Sequence, residues 1–196
     1  MSRRGRLTVR KSCISKVARF ISLFALYMMA SPSFGFSIVS TEAVRDSDTL
    51  VTVVVDSQIE LSEDVLDAFK SSIPITIQTT IKIYQVRNNL WDKLIHEYVT
   101  RDVLSYRSLY RDFLLKSADR NVNGGYTSLE AMLEALGRKR NYQVELTEGT
   151  LRADRSYVGK VRISIDRSAL PSVMRLPVFF NNAWRLKSER VKFDIK

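Results

Sequence analysis

A period-two alternation of apolar and polar side chains runs through residues 51–61, 75–83 and 161–165. In each segment the odd-numbered positions are mostly Val, Ile or Leu, and the even-numbered positions are mostly polar or charged. This alternation indicates β-strands with one buried and one solvated face, which is typical of antiparallel rather than parallel sheets. The pattern predicts a mainly β (α+β) protein, an antiparallel two-sheet β-sandwich with these odd-numbered faces in its inner layer.

Two short helices are predicted between the strands. Ser62 has the position of an N-cap, because acidic residues that favour the positive end of the helix dipole follow it. For the second helix, Thr127 or Ser128 is the predicted N-cap, and Gly137 is the predicted C′ residue that ends the helix. The apolar faces consist of Val65, Leu66 and Phe69 in the first helix and of Leu129, Met132, Leu133 and Leu136 in the second.

Two segments have a less regular pattern. The apolar and aromatic residues of 92–116 fit either a helical stripe or two strands, and because no Gly or Pro interrupts them, periodicity alone favours a helix. Near the C-terminus the inward phase changes, since Trp184 and Leu186 are even-numbered whereas the apolar positions from Val191 onward are odd-numbered. One strand cannot turn both sets inward without an inserted residue, so we predict a bulge or bend near residues 188–189.

Residues 1–35 have the layout of a secretory signal peptide. Seven basic residues and no acid come first, an uncharged apolar run follows over residues 20–30, and small residues precede a predicted cut between Gly35 and Phe36. The run is too short for a membrane-spanning helix, which needs about 20 apolar residues. We therefore expect an exported, periplasmic protein with residues 36–196 as a single β-rich domain. The alternative is an uncut inner-membrane anchor, which would give membrane association and leave the domain facing the periplasm.

The chain carries a formal net charge of +10, which alone would point to a nucleic-acid partner. Seven of its 31 basic residues and none of its 21 acidic residues lie in residues 1–35, so the predicted domain keeps 24 bases against 21 acids and a net charge of about +3. No nucleic-acid partner is therefore predicted. Cys13, the only cysteine, also lies in the leader, so the domain can form no disulfide, thiolate nucleophile or cysteine metal site.

Few residues are candidates for catalysis or metal binding. His96 is the only histidine, so a zinc site with two histidine ligands cannot form. A hydrolase would need His96 or a Ser–Lys pair as its base, and no Gly-x-Ser-x-Gly elbow is present. The acids within residues 63–67 are interpreted as the first turn of a helix, and residues 46–48 and 123–125 as turns. The sequence predicts no catalytic residue, no metal ligand and no cofactor.

The candidate binding residues are Arg138, Lys139 and Arg140, together with Trp184. The three cations follow the second predicted helix, where they complement its dipole or form a docking patch for an anionic lipid or a partner protein. Near an anionic membrane each such cation is worth about 1 kcal/mol. The large aromatics are expected in the core and as cross-strand partners, with a groove lining as the alternative; they are Trp91, Tyr98, Tyr106, Tyr110 and Trp184.

Three stretches resemble an exported bacterial family, catalogued as domain of unknown function 4390. They are "SLEAMLEALGRKRNYQV" (128–144), "RISIDRSALPSVMRLPV" (162–178) and "WRLKSERVKF" (184–193), and the likeness extends from residue 56 onward. Members are similar in a helix that ends in Leu-Gly-Arg, an Asp followed by Leu-Pro, and a Trp-Arg-Leu-x-Ser near the end. In this chain the residues of these three motifs are Leu136, Gly137 and Arg138; Asp166 with Leu170 and Pro171; and Trp184, Arg185 and Leu186 with Ser188. The chain departs from the family at Tyr142-Gln143, where related chains often have Trp-Pro.

This resemblance implies export, a single domain, and a tyrosine-rich strand pair within residues 92–116. The family has no assigned catalytic residue, and its members are often encoded near a membrane sensor kinase, which implies a link to envelope sensing. We therefore expect a non-catalytic binding or interaction module of the cell envelope, whose partner is an envelope protein or a lipid. The alternatives are a periplasmic hydrolase and a lipid carrier with an apolar cavity of at least about 300 Å³.

Overall fold

The computed structural model describes residues 35–88, 90–118, 122–152 and 154–195. Residues 1–34 lie outside it, so the signal peptide and the domain boundary at residue 36 remain predictions. Within the described residues the helices are α1 (Glu63–Lys70), α2 (Leu129–Gly137) and α3 (Ser172–Phe180). The strands are β1 (Phe36–Arg45), β2 (Leu50–Ile59), β3 (Ile75–Gln85), β4 (Lys93–Arg107), β5 (Asp112–Ser117), β6 (Val122–Tyr126), β7 (Arg140–Glu145), β8 (Tyr157–Ile165) and β9 (Val191–Asp194).

The strands form two antiparallel sheets. The smaller sheet has the order β1-β2-β7 and the larger sheet the order β6-β5-β4-β3-β8-β9. The predicted α+β, antiparallel two-sheet class is therefore confirmed, as are α1 and α2. The helix α3 was not predicted, because Pro171 and Pro177 and the absence of a polar face conceal it in the sequence.

The core lies between the two sheets and is built from the odd-numbered positions of the alternating segments. Val51, Val53 and Val55 of β2 are at most 1% exposed, and the odd-numbered isoleucines of β3 are similarly buried. The even-numbered residues of the same strands are mostly half-buried or exposed. The predicted inner faces are thus confirmed, since burial follows the period of two that the sequence carries. The β3 and β8 residues of the core are Ile75, Ile77, Ile81, Ile83, Val161, Ile163 and Ile165.

Residues 92–116 form the strands β4 and β5, as the family resemblance implied, and the helix favoured by periodicity alone was wrong. Tyr98 and Tyr106 both face inward and are eight positions apart. This separation places two residues on the same face of a strand and also on the same side of a helix, so it does not distinguish the two. The ring of Tyr106 lies 5.1 Å from that of Phe113, which in turn lies 6.0 Å from Phe69 of α1. Cross-strand aromatic packing of this kind stabilises the β4–β5 pair and attaches α1 to the sheet.

The two predicted turns have opposite outcomes. Residues 46–48 do form the turn of the β1–β2 hairpin, where the Asp46 amide donates to the Leu50 carbonyl over 3.0 Å. Residues 123–125 lie within β6 instead, so the turn predicted there was wrong. The ring of Tyr126 folds over Gly124 in that strand, and a Cβ at Gly124 would lie 2.8 Å from the ring.

Both predicted N-cap positions are correct, although only Ser128 caps in the expected way. The Ser128 hydroxyl accepts from the Ala131 amide over 3.1 Å. The Ser62 hydroxyl donates instead to the Ala183 carbonyl over 2.8 Å and links α1 to the C-terminal region. Gly137 is the last residue of α2 rather than its C′ residue, and a Cβ there would lie 2.2 Å from the Ser57 carbonyl oxygen.

The predicted break near residues 188–189 is confirmed. Before it, Leu186 and Ser188 follow the edge of β8, and the Ser188 amide donates to the Ile163 carbonyl over 2.7 Å. The Ser188 hydroxyl also accepts from the Ile163 amide over 2.9 Å, so it takes the place of a strand partner. After the break β9 pairs with β8 and brings Phe193 over Gly159, where a Cβ would lie 2.1 Å from the ring.

Candidate functional site

The outer face of the larger sheet carries a row of like charges. Lys192 of β9 pairs with Lys160 of β8, and Lys160 pairs with Lys82 of β3. Residues directly opposite one another in antiparallel strands point to the same face, with Cβ atoms about 4.5–5.5 Å apart, and like charges in that position are destabilising. Proteins keep unfavourable pairings of this kind most often at functional sites.

The lysine row continues into a groove of about 230 Å³ on the same face. Thr80 pairs with Arg162, and Gln78 pairs with Ser164, so hydroxyl and amide groups alternate with cations along the strands. We call this groove and its side chains the cationic face. Its lining residues are Gln78, Thr80, Lys82, Tyr84, Glu97, Lys160, Val161, Arg162, Ser164 and Arg190.

The electrostatics of the cationic face leave an excess of positive charge. Four of its lining residues are basic and one, Glu97, is acidic. The Lys82 Nζ lies 3.1 Å from a Glu97 carboxylate oxygen, and the Lys160 Nζ lies 4.7 Å above the ring centroid of Tyr84. The Arg162 Nε is shielded from solvent and donates to no described residue. Acidic and aromatic neighbours thus hold Lys82 and Lys160 over the sheet.

These groups are suited to binding an anion. Guanidinium and ammonium groups donate hydrogen bonds to carboxylate or phosphate oxygens, and the hydroxyls of Thr80 and Ser164 can donate or accept. A groove of this volume is smaller than the usual site for a drug-sized molecule. It fits one acidic group of a larger ligand that lies across the strands.

The three predicted cations do not form one patch. Arg138 and Lys139 are exposed, and Arg138 forms an ion pair with Glu134 one helical turn earlier. Arg140 is only 6% exposed, so its predicted place in a solvated patch was wrong. It is the first residue of β7, whose inward positions alternate from Arg140 through Tyr142. The patch predicted at these positions therefore reduces to Arg138 and Lys139, whose binding role remains a prediction.

Arg140 instead forms a buried ion pair that links the two sheets. Its Nη1 lies 2.6 Å from Oδ2 of Asp102 on β4, and its Nη2 lies 3.0 Å from Oδ1. The Arg140 Nη2 also donates to the Ser117 hydroxyl over 2.9 Å. The exposed fractions of the two charged side chains are 7% for Arg140 and 0% for Asp102. This bidentate geometry offsets the large cost of removing both charges from water.

Trp184 is 4% exposed and belongs to the core, so it was wrong as a binding candidate. The expectation that the aromatics pack inside is confirmed for Trp184, and for Tyr98 and Tyr106, which pack against the core. It was wrong for Trp91 and Tyr110, which are 93% and 68% exposed. Both of these residues lie in loops that join paired strands, where alternation gives no information about burial.

His96 lies half-buried on β4, opposite Ile83. Among the described residues, no serine hydroxyl forms a hydrogen bond with His96 or with a lysine side chain. Glu63 and Asp64 form the first turn of α1 as predicted, and Asp64 accepts from the Asn181 side chain over 2.5 Å. In the same described part of the chain, no group of three or more His, Cys, Asp or Glu side chains is arranged to hold a metal ion.

Asp166, the Asp of the motif in which an Asp is followed by Leu-Pro, comes directly after the last residue of β8. Its carboxylate accepts from the Ser168 amide over 3.0 Å and from the Arg101 Nε over 2.9 Å. Burial alone would raise the pKa of Asp166, but the hydrogen bonds from Ser168 and Arg101 outweigh burial and hold the pKa below its ordinary value. The carboxylate is therefore a structural anion that ties β8 to β4.

The cationic face was missed in the sequence. Lys82, Lys160 and Arg162 are visible as polar even-numbered residues, but only the strand order brings them together. No spacing in the chain indicates that β8 lies beside β3, because 78 positions separate Lys82 from Lys160 and 82 positions separate Thr80 from Arg162. The available signal was the pair of cations at successive outward positions of β8, Lys160 and Arg162.

The fold and this face define a two-sheet antiparallel α+β protein with a cationic outer sheet face. The family model described as Domain of unknown function (DUF4390) matches residues 34–194, and the chain belongs to that family. No curated protein and no solved structure gives a significant match. Across the described ranges, none of the helices is both long and apolar enough to cross a membrane.

Proposed function

We propose that this chain is an exported, non-catalytic protein of the cell envelope that binds an acidic segment of a partner protein through its cationic face. The observation that carries the proposal is the row of Lys82, Lys160 and Lys192, opposed across three adjacent strands. Such a row lowers the stability of the free protein. A bound anion reverses that effect, because it lies between charges that otherwise repel one another.

The lining of the cationic face favours a polypeptide over a lipid surface. Thr80, Gln78 and Ser164 supply hydroxyl and amide groups that can bond to a peptide backbone. Val161, the aliphatic residue of the lining, is fully buried, so the lining offers no exposed aliphatic side chain that would enter a lipid layer. Carboxylates of the segment would reach Lys160 and Arg162, while its main chain bonds to the uncharged groups.

Export is supported by the cationic, acid-free leader and by its short apolar run. Phe36, the residue after the predicted cut, is also the first residue of β1 and pairs with Ile59. N-terminal sequencing of the protein recovered from cells tests this part of the proposal. A chain that begins at Phe36 supports export with cleavage, whereas an intact Met1 or Ser2 contradicts it.

Binding can be tested with a fluorescent oligo-glutamate peptide as the probe. Reversing one surface charge that lies near a bound carboxylate changes the binding free energy by about 2 kcal/mol, or roughly 30-fold in affinity. We expect this loss for Lys160→Glu and for Arg162→Glu, and a weaker affinity of the native protein at high salt. The matched control is Lys139→Glu, which makes the same charge change at the exposed helix end.

Two outcomes would contradict the cationic face as the binding site. The first is a full affinity in Lys160→Glu with a loss in Lys139→Glu, which would assign binding to the helix end instead. The second comes from crosslinking in cells, followed by identification of the trapped proteins. We expect a partner that is trapped by the native chain and by Lys139→Glu but lost in Lys160→Glu; the same set of proteins with all three chains would exclude a specific partner at this face.

A further inference from the structure

The helix α3 exposes an apolar surface that the binding of an acidic segment does not use. Val173, Leu176 and Phe180 are 81%, 74% and 77% exposed, and Phe179 is 57% exposed. The first three residues are spaced at i, i+3 and i+7, so they share one side of the helix. Val178, which is buried, and Met174, which is half-buried, pack α3 against the core. A contiguous apolar surface of this kind marks an interaction site in soluble proteins.

The segment that contains α3 carries only positive charge. Residues 167–188 contain four basic residues and no acid. Asp166, just before this segment, is paired with Arg101, whereas Asp64 of α1 keeps its charge and accepts a hydrogen bond from Asn181. The segment therefore combines exposed apolar side chains with an excess of positive charge. The four basic residues are Arg167, Arg175, Arg185 and Lys187.

We propose that α3 is a membrane-docking helix that lies on the surface of a bilayer containing anionic phospholipids. Leu176 and Phe180 would enter the boundary between headgroups and acyl chains, and Arg175 and Arg185, both exposed, would meet lipid phosphates. Exposed apolar residues beside basic residues are the signature of a helix that lies in the membrane interface. Each base near an anionic leaflet adds to the attraction.

Charge complementarity selects the bilayer among the possible occupants of this surface. A second copy of the chain would bring its own four cations against the same surface, and like charges oppose such a contact. The leader is also a poor occupant, because residues 1–34 contain seven bases and no acid. A lipid surface supplies the apolar layer and the negative charge at once.

Sedimentation with lipid vesicles tests this docking in the protein recovered from cells. The probes are vesicles of phosphatidylcholine mixed with phosphatidylglycerol, compared with vesicles of phosphatidylcholine alone. We expect the native protein to sediment with the mixed vesicles and much less with the neutral ones. The double variant Leu176→Ser/Phe180→Ser should bind at least about tenfold more weakly, and Arg175→Glu/Arg185→Glu should lose its preference for the anionic lipid.

The matched control is Leu90→Ser/Trp91→Ser in the loop between β3 and β4. It removes two apolar side chains that are 66% and 93% exposed. It should bind the mixed vesicles as the native protein does, and so should Lys160→Glu, whose change lies in the cationic face. Equal binding by the α3 double variant, or an equal loss in the control, would overturn the docking helix. A concentration-dependent dimer that only the α3 variant loses would also overturn it, and would identify a second copy as the occupant. The α3 variants are tested with vesicles and the Lys160 variant with the oligo-glutamate peptide. A failure of membrane docking would therefore leave the proposed function of the cationic face to its own test.

Discussion

Replacing Asp102 by asparagine removes the charge that faces Arg140 between the sheets while keeping the size of the side chain. The carboxylate is fully buried and accepts two hydrogen bonds from the guanidinium, at 2.6 and 3.0 Å. In the variant Arg140 is still held at the start of β7 and still donates to the Ser117 hydroxyl, but its buried guanidinium loses the carboxylate that faces it. Removing one partner of a buried ion pair is among the most destabilising changes that a core can receive.

The expected cost follows from this burial. Breaking a buried ion pair by removing one partner lowers the free energy of unfolding by about 3–5 kcal/mol. For a domain of this length each kcal/mol corresponds to a shift of about 2–4 °C in Tm, so Asp102→Asn should melt roughly 6–20 °C below the native protein. Exchange of both partners, as in Asp102→Leu/Arg140→Met, should recover most of that loss, because paired charges and apolar groups of similar volume are nearly equivalent in a core.

Urea unfolding followed by circular dichroism measures these differences. The matched control is Glu134→Gln, the same chemical change in an ion pair whose side chains are 74% and 65% exposed. Such i,i+4 surface pairs contribute about 0.3–0.5 kcal/mol, so the control should unfold almost as the native protein does. A cost below about 1 kcal/mol for Asp102→Asn, or a double variant no more stable than the single one, would refute the role given to this pair.

Two further predictions concern Gly137 and Asp166. Gly137→Ala should lower the free energy of unfolding, measured in urea, by about 1–3 kcal/mol. Although Ala is the better helix former, its Cβ at this position would lie 2.2 Å from the Ser57 carbonyl oxygen. In the control Gly125→Ala the new Cβ has nothing within 4 Å, so the change should be neutral or slightly stabilising. Asp166, whose folded pKa is lowered, contributes stability that is present above its ordinary pKa and lost as the pH falls through the folded value. Asp166→Asn should therefore show a smaller fall of the urea midpoint than the native protein between neutral pH and about pH 3; an equal fall would contradict it.

The sheets could be predicted because their signal is local. Alternation in β2, β3 and β8 is written in neighbouring residues, and burial of one face follows directly from it. Arg140 could not be assigned in the same way. It follows two exposed cations in the sequence, and only the start of β7 decides that its side chain points inward. The run of three cations therefore predicted a surface patch, whereas the alternation of β7 turns Arg140 inward into its ion pair with Asp102.

The candidate site depended on information that the sequence does not display. The row of Lys82, Lys160 and Lys192 exists only because β3, β8 and β9 are neighbours, and strand order is a property of the whole chain. Helix α3 was missed for a different reason: its apolar side chains face outward, so they do not produce the one polar, one apolar stripe by which a helix is recognised.

The smaller sheet also has a consequence for the speed of folding. Its central strand β2 pairs with β7, and Leu50 and Glu145 meet although 95 positions separate them. Pairings between distant parts of a chain form slowly, because the loop between them must be closed before the contact gives any stability. A polypeptide that has to pass through a narrow translocation pore must arrive there as an extended chain. For the export proposed above, late closure of this pairing favours a chain that is still extended when it reaches the pore.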